Sequence, residues 1–396
     1  MSRGDIVIVG GGPAGLSTAL ALVRSAPALA SRVVVLEKSR YPRDKFCAGA
    51  IGGRGLDLLR ELDALPDVPF APIDGVSFRG RHGRLEARVE GIGRVVRRIE
   101  FDHALARIAS ARGVKIEQDV KVEAIEDATP GEATVRTSRG DLRASVVVGA
   151  DGVGSVVRRS MGLSAGTLRA QVLELDTEVL PTDGPRSFIH FDASDPRIPG
   201  YAWDFPTIVE GKPMVCRGIY VLRLGEAVVD LQTRLGERLA TMGLDIAAYE
   251  NKRFAERGYD PVERVAAGRR MLVGEAAGID PVTGEGIAQA IEYGVLAGRF
   301  LARASADVSR WSARARRSRL ILDLRARERF VNIFYGPARP ALERFFLEVP
   351  DSLHVGCQHF GGLAYDRRRM ARVLARLAVF LAGVGMSRAR ARLSPR

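Results

Sequence analysis

Short β-branched runs alternate with helical spacing in the N-terminal part of the chain. The run Asp5–Val9 is apolar and ends in glycines, which is typical of a buried parallel strand. Beyond it, apolar residues recur at helical spacing as far as Pro27, at Leu16, Ala19, Leu20 and Val23. A second β-branched strand follows at residues 32–36. The order strand, glycine turn, helix, strand predicts a dinucleotide-binding unit of the Rossmann type.

The rest of the pattern divides the chain into lobes. Alternating runs predict antiparallel strands over 70–96 and a sheet over 161–265, including 172–179, 187–191 and 216–221. A helix is predicted over 101–109. Strands returning to the first lobe are predicted at 114–125 and 144–148, with a polar hairpin between them. From Gly294 onward the pattern is helical and basic, apart from Pro337 to Pro340 and Gly361 to Gly362.

We therefore predict an α/β fold, α+β overall, in three parts. The discontinuous nucleotide-binding domain comprises residues 1–70, 96–160 and 265–305. An antiparallel-sheet substrate domain comprises 71–95 and 161–264. A C-terminal basic helical region comprises 306–396. The length of 396 residues agrees with two or three lobes that share buried surface.

Cysteine usage and the N-terminus indicate the compartment. The three cysteines, Cys47, Cys216 and Cys357, have neither a disulfide framework nor metal-ligand spacing, so we expect a reducing environment and no metal site. Met1 to Gly4 lead directly into the first strand without the pattern of a secretory leader. The cytoplasm is the simplest prediction.

The net charge of +13 predicts an anionic partner, because arginines are concentrated at 310–329 and 367–396. The candidates are lipid head groups, a phosphorylated substrate, an acidic redox partner or nucleic acid, and no nucleic-acid motif supports the last. Arginine richness is equally explained by a GC-rich genome. The apolar run Leu377 to Met386 is shorter than the roughly 20 residues that span a bilayer, so we expect peripheral membrane contact at most.

The first glycine cluster supplies candidate cofactor contacts. A pyrophosphate needs close backbone approach at a helix N-terminus. Residues suited to that role are Gly10, Gly12, Pro13, Ala14 and Gly15. Glu37, with Lys38 beside it, lies 22 residues after Gly15, where a carboxylate accepts hydrogen bonds from ribose hydroxyls. Both FAD and NAD satisfy this motif.

Two further glycine segments favour FAD. Residues 146–158 run from a strand through Asp151 and Gly152 into a helix, and residues 271–278 are followed by a helix start at Gly286 and Ile287. Here the chain resembles the flavin monooxygenase and reductase superfamily typified by para-hydroxybenzoate hydroxylase.

The superfamily resemblance implies roles for individual residues. The Asp-Gly segment lies beside the FAD pyrophosphate, and the helix start faces the flavin ring and stabilises its reduced form. Arg98 is implied to reach the cofactor, and Val122 to contact its adenine end. Glu275 stands where the superfamily usually has an aspartate on the ribityl chain, which is a departure from its pattern.

Two motifs narrow the resemblance to the geranylgeranyl reductase family, over residues 5 to about 300. Lys45-Phe46-Cys47-Ala48-Gly49-Ala50 is similar to the family's loop past the flavin ring, which implies cofactor contacts for Cys47, Ala48 and Ala50. Gly200 to Pro206 is similar to its Tyr-x-Trp-x-Phe-Pro motif, which implies a lipid cavity shaped by Tyr201, Trp203 and Phe205.

Several of these residues have a plainer interpretation. Tyr201 and Trp203, two residues apart on a strand, point the same way. This spacing suits an aromatic wall over an apolar substrate, and it also suits an ordinary core. Cys47 is either a redox-active catalytic residue or a small buried hydrophobe. The five histidines show no triad spacing, and no acid–base residue is evident.

The resemblance implies an FAD-dependent reductase that transfers hydride from reduced flavin to carbon–carbon double bonds of a polyprenyl lipid. An isolated alkene accepts hydride poorly, so a proton source must lie close to it. With no second nucleotide-binding domain in the sequence, we expect NAD(P)H or a ferredoxin as external electron donor. The alternative is a flavin monooxygenase, a hydroxylase or epoxidase and less readily a halogenase, acting on a specialised metabolite. A third interpretation is a flavin-binding regulator without turnover, for which Glu275 is the hint.

Overall fold

The structure is a computed structural model that describes residues 6–128, 131–224, 229–304 and 307–393. Asp5 of the predicted first strand, the segment Met1 to Gly4 and residues 394–396 of the basic tail lie outside the described residues.

A parallel sheet forms the first layer, as the β-branched runs predict. Within the described residues it has six strands, in the order Ala266–Ala267, Arg270–Leu272, Val146–Gly149, Ile6–Val9, Val33–Leu36 and Lys115–Glu117. Ile6–Val9 pairs in parallel with the strands on both sides, and all four of its residues are buried. Only the edge strand Ala266–Ala267 runs antiparallel. Helices on both faces explain why the central strands carry no polar side chains.

The helices of this layer follow the predicted order. Pro13–Ser25 packs against Ile287–Ala304. The others are Gly53–Glu61, Arg98–Ala111 and Val156–Ser160. Short 3₁₀ helices span Pro27–Arg32, Ile246–Ala248 and Gly274–Ala276.

The second layer is a larger, mostly antiparallel sheet. Its eight strands in the described residues run in the order Lys252–Arg257, Arg169–Thr177, Lys212–Leu222, Gly200–Val209, Phe188–Asp192, Phe70–Gly80, Gly83–Val96 and Ala50–Gly52. Phe188–Asp192 and Phe70–Gly80 form its parallel pair. The strand Ala50–Gly52 comes from the segment that we assigned to the nucleotide-binding domain. The proposed domain boundaries stay a prediction.

The fold class is confirmed, but two segments differ from the predicted elements. Within the stretch 161–265, read as sheet, residues Leu231–Ala240 form a helix. Leu231, Leu235 and Leu239 of this helix pack on the outer face of the larger sheet, and Asp230 caps it. Apolar residues four apart after an aspartate are a helix signal that the surrounding β alternation obscured.

The second difference concerns the strand predicted over 114–125. Lys115–Glu117 joins the parallel sheet, whereas Val122–Asp127 turns away into a separate sheet with Ala133–Thr137 and Gly140–Ala144. Asp119, at a positive φ of 57°, lies at the break between the two strands. A reversal of direction there needs tertiary contacts on both sides, which the run of apolar residues does not specify.

Helices make up the C-terminal region, as predicted. They span Trp311–Arg316, Arg319–Phe334, Arg339–Glu348, Asp351–Phe360 and Arg367–Leu393. Pro340 lies in the first turn of its helix rather than in a loop, a position where proline's missing N–H costs nothing. Val331, Tyr335 and Cys357 bury their side chains in the same cluster as Tyr201 and Trp203. The region therefore packs over the inner face of the larger sheet.

Candidate active site

A large cavity lies between the two sheets. Its volume of about 1060 Å³ is at the upper end of what small-molecule sites enclose. We call the part lined by residues 10, 12–14, 36–39, 150–154 and 284–287 the cradle. We call the remaining, mostly apolar part the slot; its walls include Val76, Phe78, Phe191, Tyr201, Trp203, Phe205, Tyr220, Phe254, Phe334, Phe346, Leu353, Cys357 and Phe360.

The first glycine turn brings backbone to the edge of the cradle. Gly10 has φ of +104°, and a Cβ there would lie 2.4 Å from the carbonyl oxygen of Ala150. Gly12 immediately precedes the helix Pro13–Ser25, which has no side-chain cap. Its first N–H groups are therefore free to face an anion. Gly10, Gly12, Pro13 and Ala14 line the cavity, and their contact with a cofactor stays a prediction.

Gly15 does not line the cavity. A Cβ on Gly15 would lie 2.0 Å from the carbonyl oxygen of Gly10, so this glycine allows the helix to sit tightly on the turn. Its part is in packing rather than in contact with a ligand.

A chain of buried charged side chains is hydrogen-bonded to the first glycine turn at Gly11. Oε2 of Glu37 accepts hydrogen bonds from the N–H of Gly11 and from Arg43, each at 3.0 Å. Arg43 also pairs with Asp102 at 3.0 Å, and Arg98 pairs with Asp102 through two bonds of 2.7 and 2.6 Å. Glu37, Lys38 and Arg98 all line the cavity. Arg43 and Asp102 were missed in the sequence because nothing local marks their mutual contact.

The Asp151 segment presents its backbone rather than its carboxylate. Oδ2 of Asp151 accepts from the N–H groups of Val156 and Val157, and Oδ1 accepts from Ser155. The side chain thus caps the helix Val156–Ser160. Asp151 and Gly152 line the cavity with the carboxylate held out of the way of a phosphate.

Glu275 has an unsatisfied oxygen beside this segment. Its Oε2 pairs with Lys45 at 3.5 Å, whereas its Oε1 is buried without a hydrogen-bond partner among the described residues. A buried acceptor of this kind requires a donor, and ribityl hydroxyls are suitable donors. The contact of Glu275 with the ribityl chain stays a prediction.

Tyrosine hydroxyls hold the backbone that leads into Gly284. Tyr201, Tyr220 and Tyr335 donate to the carbonyls of Thr283, Pro281 and Val282, the Tyr220 bond being 3.1 Å long. Asp280 accepts from the N–H groups of Val282 and Thr283 and pairs with Arg327 at 2.6 Å. The turn at 284–286 and the start of the helix at Ile287 are thereby fixed relative to the slot.

The predicted aromatic wall is present. The rings of Tyr201 and Tyr220 stack with centroids 5.2 Å apart, and Phe191 contacts Tyr201 and Phe205 edge-on. Tyr201, Trp203 and Phe205 are buried and line the cavity. Because the Tyr201 hydroxyl is occupied by Thr283, this residue offers its ring, not its polar end, to a ligand.

Cys47 lies at the junction of cradle and slot with Ala48 and Ala50. Burial raises the pKa of its thiol to about 11. At neutral pH the thiol is therefore protonated, which disfavours a thiolate nucleophile. Its catalytic role stays a prediction.

Val122 lines the cavity near its cradle end. It starts the strand that leaves the parallel sheet, so it reaches the cavity from the small three-stranded sheet. Its contact with the adenine end stays a prediction.

Residues of the C-terminal helices line the cavity and were not predicted. They are Arg327, Phe334, Phe346, Ser352, Leu353, Gly356, Cys357, His359 and Phe360. Their helical pattern indicated burial, but the sequence contains no signal for which surface they cover. Among the described residues, none of the helices combines the length and apolar composition that crossing a bilayer requires.

Together these features fit FAD. Free N–H groups of two helix starts suit the pyrophosphate and the ring. The orphaned oxygen of Glu275 suits the ribityl chain, and Glu37 keeps lone pairs for ribose hydroxyls. Bound FAD would be held by residues of all three glycine segments.

Comparison with known proteins agrees with this geometry. The model of the FAD binding domain family matches residues 3–196. Digeranylgeranylglycerophospholipid reductase 1 of Methanococcoides burtonii is 31% identical over 324 residues, 77% of this chain and 76% of the relative. A digeranylgeranylglycerophospholipid reductase of Methanothrix thermoacetophila is 27% identical over 332 residues, 76% of this chain and 78% of the relative.

Solved structures share the fold. A flavoprotein/dehydrogenase from Cytophaga hutchinsonii superimposes with a TM-score of 0.70 at 20% identity, covering 96% of this chain and 99% of the other. A geranylgeranyl bacteriochlorophyll reductase-like protein from Thermoplasma acidophilum has a TM-score of 0.63 at 20% identity, covering 94% and 95%.

Fold, cradle and domain match define an FAD-dependent oxidoreductase. Within that class the chain belongs to the geranylgeranyl reductase family.

Proposed function

We propose that this protein reduces carbon–carbon double bonds of a polyprenyl lipid. The observation that carries the proposal is the slot, an apolar space that opens directly from the cradle and is walled by aromatic rings and by the C-terminal helices. A long hydrocarbon chain gains most from such a space because it has no polar groups to satisfy. The names of the two relatives, both lipid reductases, support the same substrate class.

The residues of the slot would orient the alkene and exclude water. Reduced FAD, when bound, supplies the hydride. Tyr201, Trp203 and Phe205 would hold the hydrocarbon against the ring, and the start of the helix at Ile287 would stabilise negative charge on that ring. Binding energy from the remote part of the chain would thus position the double bond for reaction.

Three accompanying expectations remain proposals. Electrons would come from NAD(P)H or a ferredoxin acting from outside. The exposed arginines of the last helix, such as Arg368 and Arg372, would attract anionic lipid head groups at a membrane surface. The protein would work in the cytoplasm. Arg369 and Arg372 also pair with Asp351, which reduces the charge free for that contact.

An anaerobic single turnover tests the function. Reduced holoenzyme is mixed with digeranylgeranylglycerophospholipid in detergent micelles, and flavin absorbance and product mass are followed. We expect reoxidation of the flavin with product gaining two hydrogens for each bond reduced. A product that forms only with oxygen and gains an oxygen atom or a halogen would replace the reductase by the monooxygenase alternative.

A further inference from the structure

The slot contains a carboxyl group that the mechanism has not used. Glu256 lies on the edge strand Lys252–Arg257 and pairs in register with Ala170. Phe254, two residues earlier on the same face, pairs with Val172. Glu256, Phe254 and Val172 line the cavity, whereas Ala170 does not. A glutamate in this alternation is directed toward the aromatic interior rather than toward solvent.

The carboxyl group of Glu256 lies where cradle and slot meet. A Cβ on Gly284 would lie 2.7 Å from Oε2 of Glu256 and 3.0 Å from the Tyr220 ring. Gly284 opens the turn that leads into the helix start facing the ring, and Tyr220 stacks on Tyr201 in the aromatic wall. The carboxyl therefore sits between the groups that would hold the cofactor and those that would hold the alkene.

The environment of Glu256 favours its neutral acid form. Oε2 has no contact with solvent and no hydrogen-bond partner among the described residues. Burial raises its pKa well above the usual value, and nearby carboxylates raise it further while Lys45 lowers it. The titratable groups that face it are Glu174, Glu275, Asp280, Lys45, Cys47, Tyr201, Tyr220 and Tyr335.

Other acids of the cavity are less suited to give a proton. Glu275 pairs with Lys45 at 3.5 Å, and Glu285 pairs with Arg327 at 3.4 Å. The Cys47 thiol, with its pKa raised by burial to about 11, is a weak acid. A general acid works best when its pKa lies near the working pH, as buried carboxyls can achieve.

We propose that Glu256 is the proton donor of the reaction, an inference that rests on the proposed function. Its O–H bond breaks, and the π electron pair of the alkene forms the new C–H bond at one carbon. The other carbon receives the hydride with its electron pair, so the cofactor is oxidised by two electrons. Glu256 is left as a carboxylate and regains a proton from water before the next turnover.

The test compares Glu256→Gln with wild type and with Glu174→Gln. Glu174 is a matched control because it is a glutamate of the same sheet whose pKa is also raised chiefly by burial, to about 8, but it does not line the cavity. For each reduced holoenzyme we would measure the rate of flavin reoxidation by digeranylgeranylglycerophospholipid without oxygen, across a range of pH. FAD affinity is titrated in parallel.

We expect Glu256→Gln to bind FAD normally and to slow reoxidation at least about 100-fold, as loss of a general acid does. Glu174→Gln should react within a few-fold of wild type. The wild-type rate should fall as pH rises through the raised pKa of Glu256, since only the protonated form donates, and Glu256→Gln should lack that fall. Equal rates for wild type and Glu256→Gln, or equal slowing in both variants, would overturn the assignment.

A second measurement does not depend on turnover. The infrared difference spectrum of oxidised holoenzyme, wild type minus Glu256→Gln, should contain the carbonyl band of a protonated carboxylic acid at neutral pH. Carboxylate bands in its place would overturn the inference while leaving the reductase function intact. Conversely, wild type that yields no saturated product removes the proposed function, and the donor role with it, whatever the spectrum shows.

Discussion

The cradle and the slot are built from different parts of the chain. The cradle consists of backbone: glycine turns and helix starts at the ends of neighbouring parallel strands, with Gly10 touching Ala150. The slot consists of side chains that come from strands of the larger sheet and from helices near the C-terminus. Where two backbone segments meet as closely as at Gly10, no added atom fits, whereas a side-chain site is sensitive to volume and to the polarity of what is buried.

This contrast places different constraints on the two regions. The cradle must match a constant dinucleotide, so its glycines leave little freedom. The slot can change its length and shape through single substitutions on its walls without disturbing the cradle. The hydroxyls of Tyr201 and Tyr220 join the two, because these residues line the slot and donate hydrogen bonds to the carbonyls of Thr283 and Pro281, just before the turn at Gly284.

The largest effect is expected for Gly10→Ala, which adds one methyl group to the cradle. The methyl would lie 2.4 Å from the Ala150 carbonyl oxygen at φ of +104°. We expect FAD affinity, measured by titration of flavin fluorescence, to fall at least about 100-fold, a loss of about 2.7 kcal/mol. Strand Ile6–Val9 has to move for the methyl to fit.

Gly140→Ala is the matched control for Gly10→Ala. Gly140 has φ of +105°, but a Cβ there would meet nothing within 4 Å. Because only the backbone is strained, Gly140→Ala should lower the free energy of unfolding by about 1–2 kcal/mol and leave FAD affinity unchanged. Equal FAD affinities for the two variants would show that the cradle does not depend on close backbone approach.

For Gly356→Trp in the slot we expect a smaller effect, and one on the reaction with the substrate rather than on FAD affinity. Gly356 lines the cavity from the helix Asp351–Phe360, and a Cβ there would meet nothing within 4 Å. An indole can therefore enter the slot without a backbone clash. We expect FAD to bind normally while the anaerobic rate with the lipid substrate falls about 10- to 100-fold, since about 1.4 kcal/mol of lost binding is tenfold.

Gly356→Ala separates size from helix propensity. Alanine favours a helix over glycine by about 1 kcal/mol, so this variant should melt slightly higher and react like wild type. If tryptophan at this position leaves the lipid rate unchanged, the substrate does not occupy this part of the cavity.

The smallest effect is expected for Tyr201→Phe, which cuts one link between slot and cradle. The ring stays in the wall, but the turn loses the hydrogen bond to the Thr283 carbonyl. We expect about 1 kcal/mol of lost stability and a FAD affinity about fivefold weaker. Thermal unfolding and fluorescence titration measure the two quantities.

Tyr249→Phe is the control for Tyr201→Phe, because its hydroxyl bonds Glu178 at 2.7 Å on an exposed surface. It should leave FAD affinity unchanged. A Tyr201→Phe variant that loses stability without losing FAD affinity would show that the two regions are independent.

The sequence alone determined the class of fold and most of the cradle. Strand, turn and helix signals are local: the β-branched run before Gly10 and the helical spacing after it specify the unit within about thirty residues. The segments at Asp151 and Gly286 have similar local signals, and both line the cavity. Gly15 is the exception, because a packing glycine and a ligand-contacting glycine look the same in a sequence.

The slot could be predicted only where a motif marked it. Tyr201, Trp203 and Phe205 were assigned to it through the resemblance of Gly200 to Pro206 to a family motif. Phe346, Leu353 and Cys357 were not, since apolar residues on a helix indicate burial without indicating a partner surface. Glu256 was missed for a related reason: a single glutamate in an alternating strand does not show which face is solvated.

The local backbone turns could therefore be predicted from the sequence, whereas contacts between distant segments of the chain could not. A glycine turn needs only its own neighbours to adopt its shape, so the sequence itself determined a dinucleotide-binding protein. Which helices close the slot, which carboxyl lies buried beside Gly284, and which hydroxyls bind its turn depend on segments that meet only in the tertiary structure. Those meetings are decided by the packing of whole layers, which no short stretch of residues encodes.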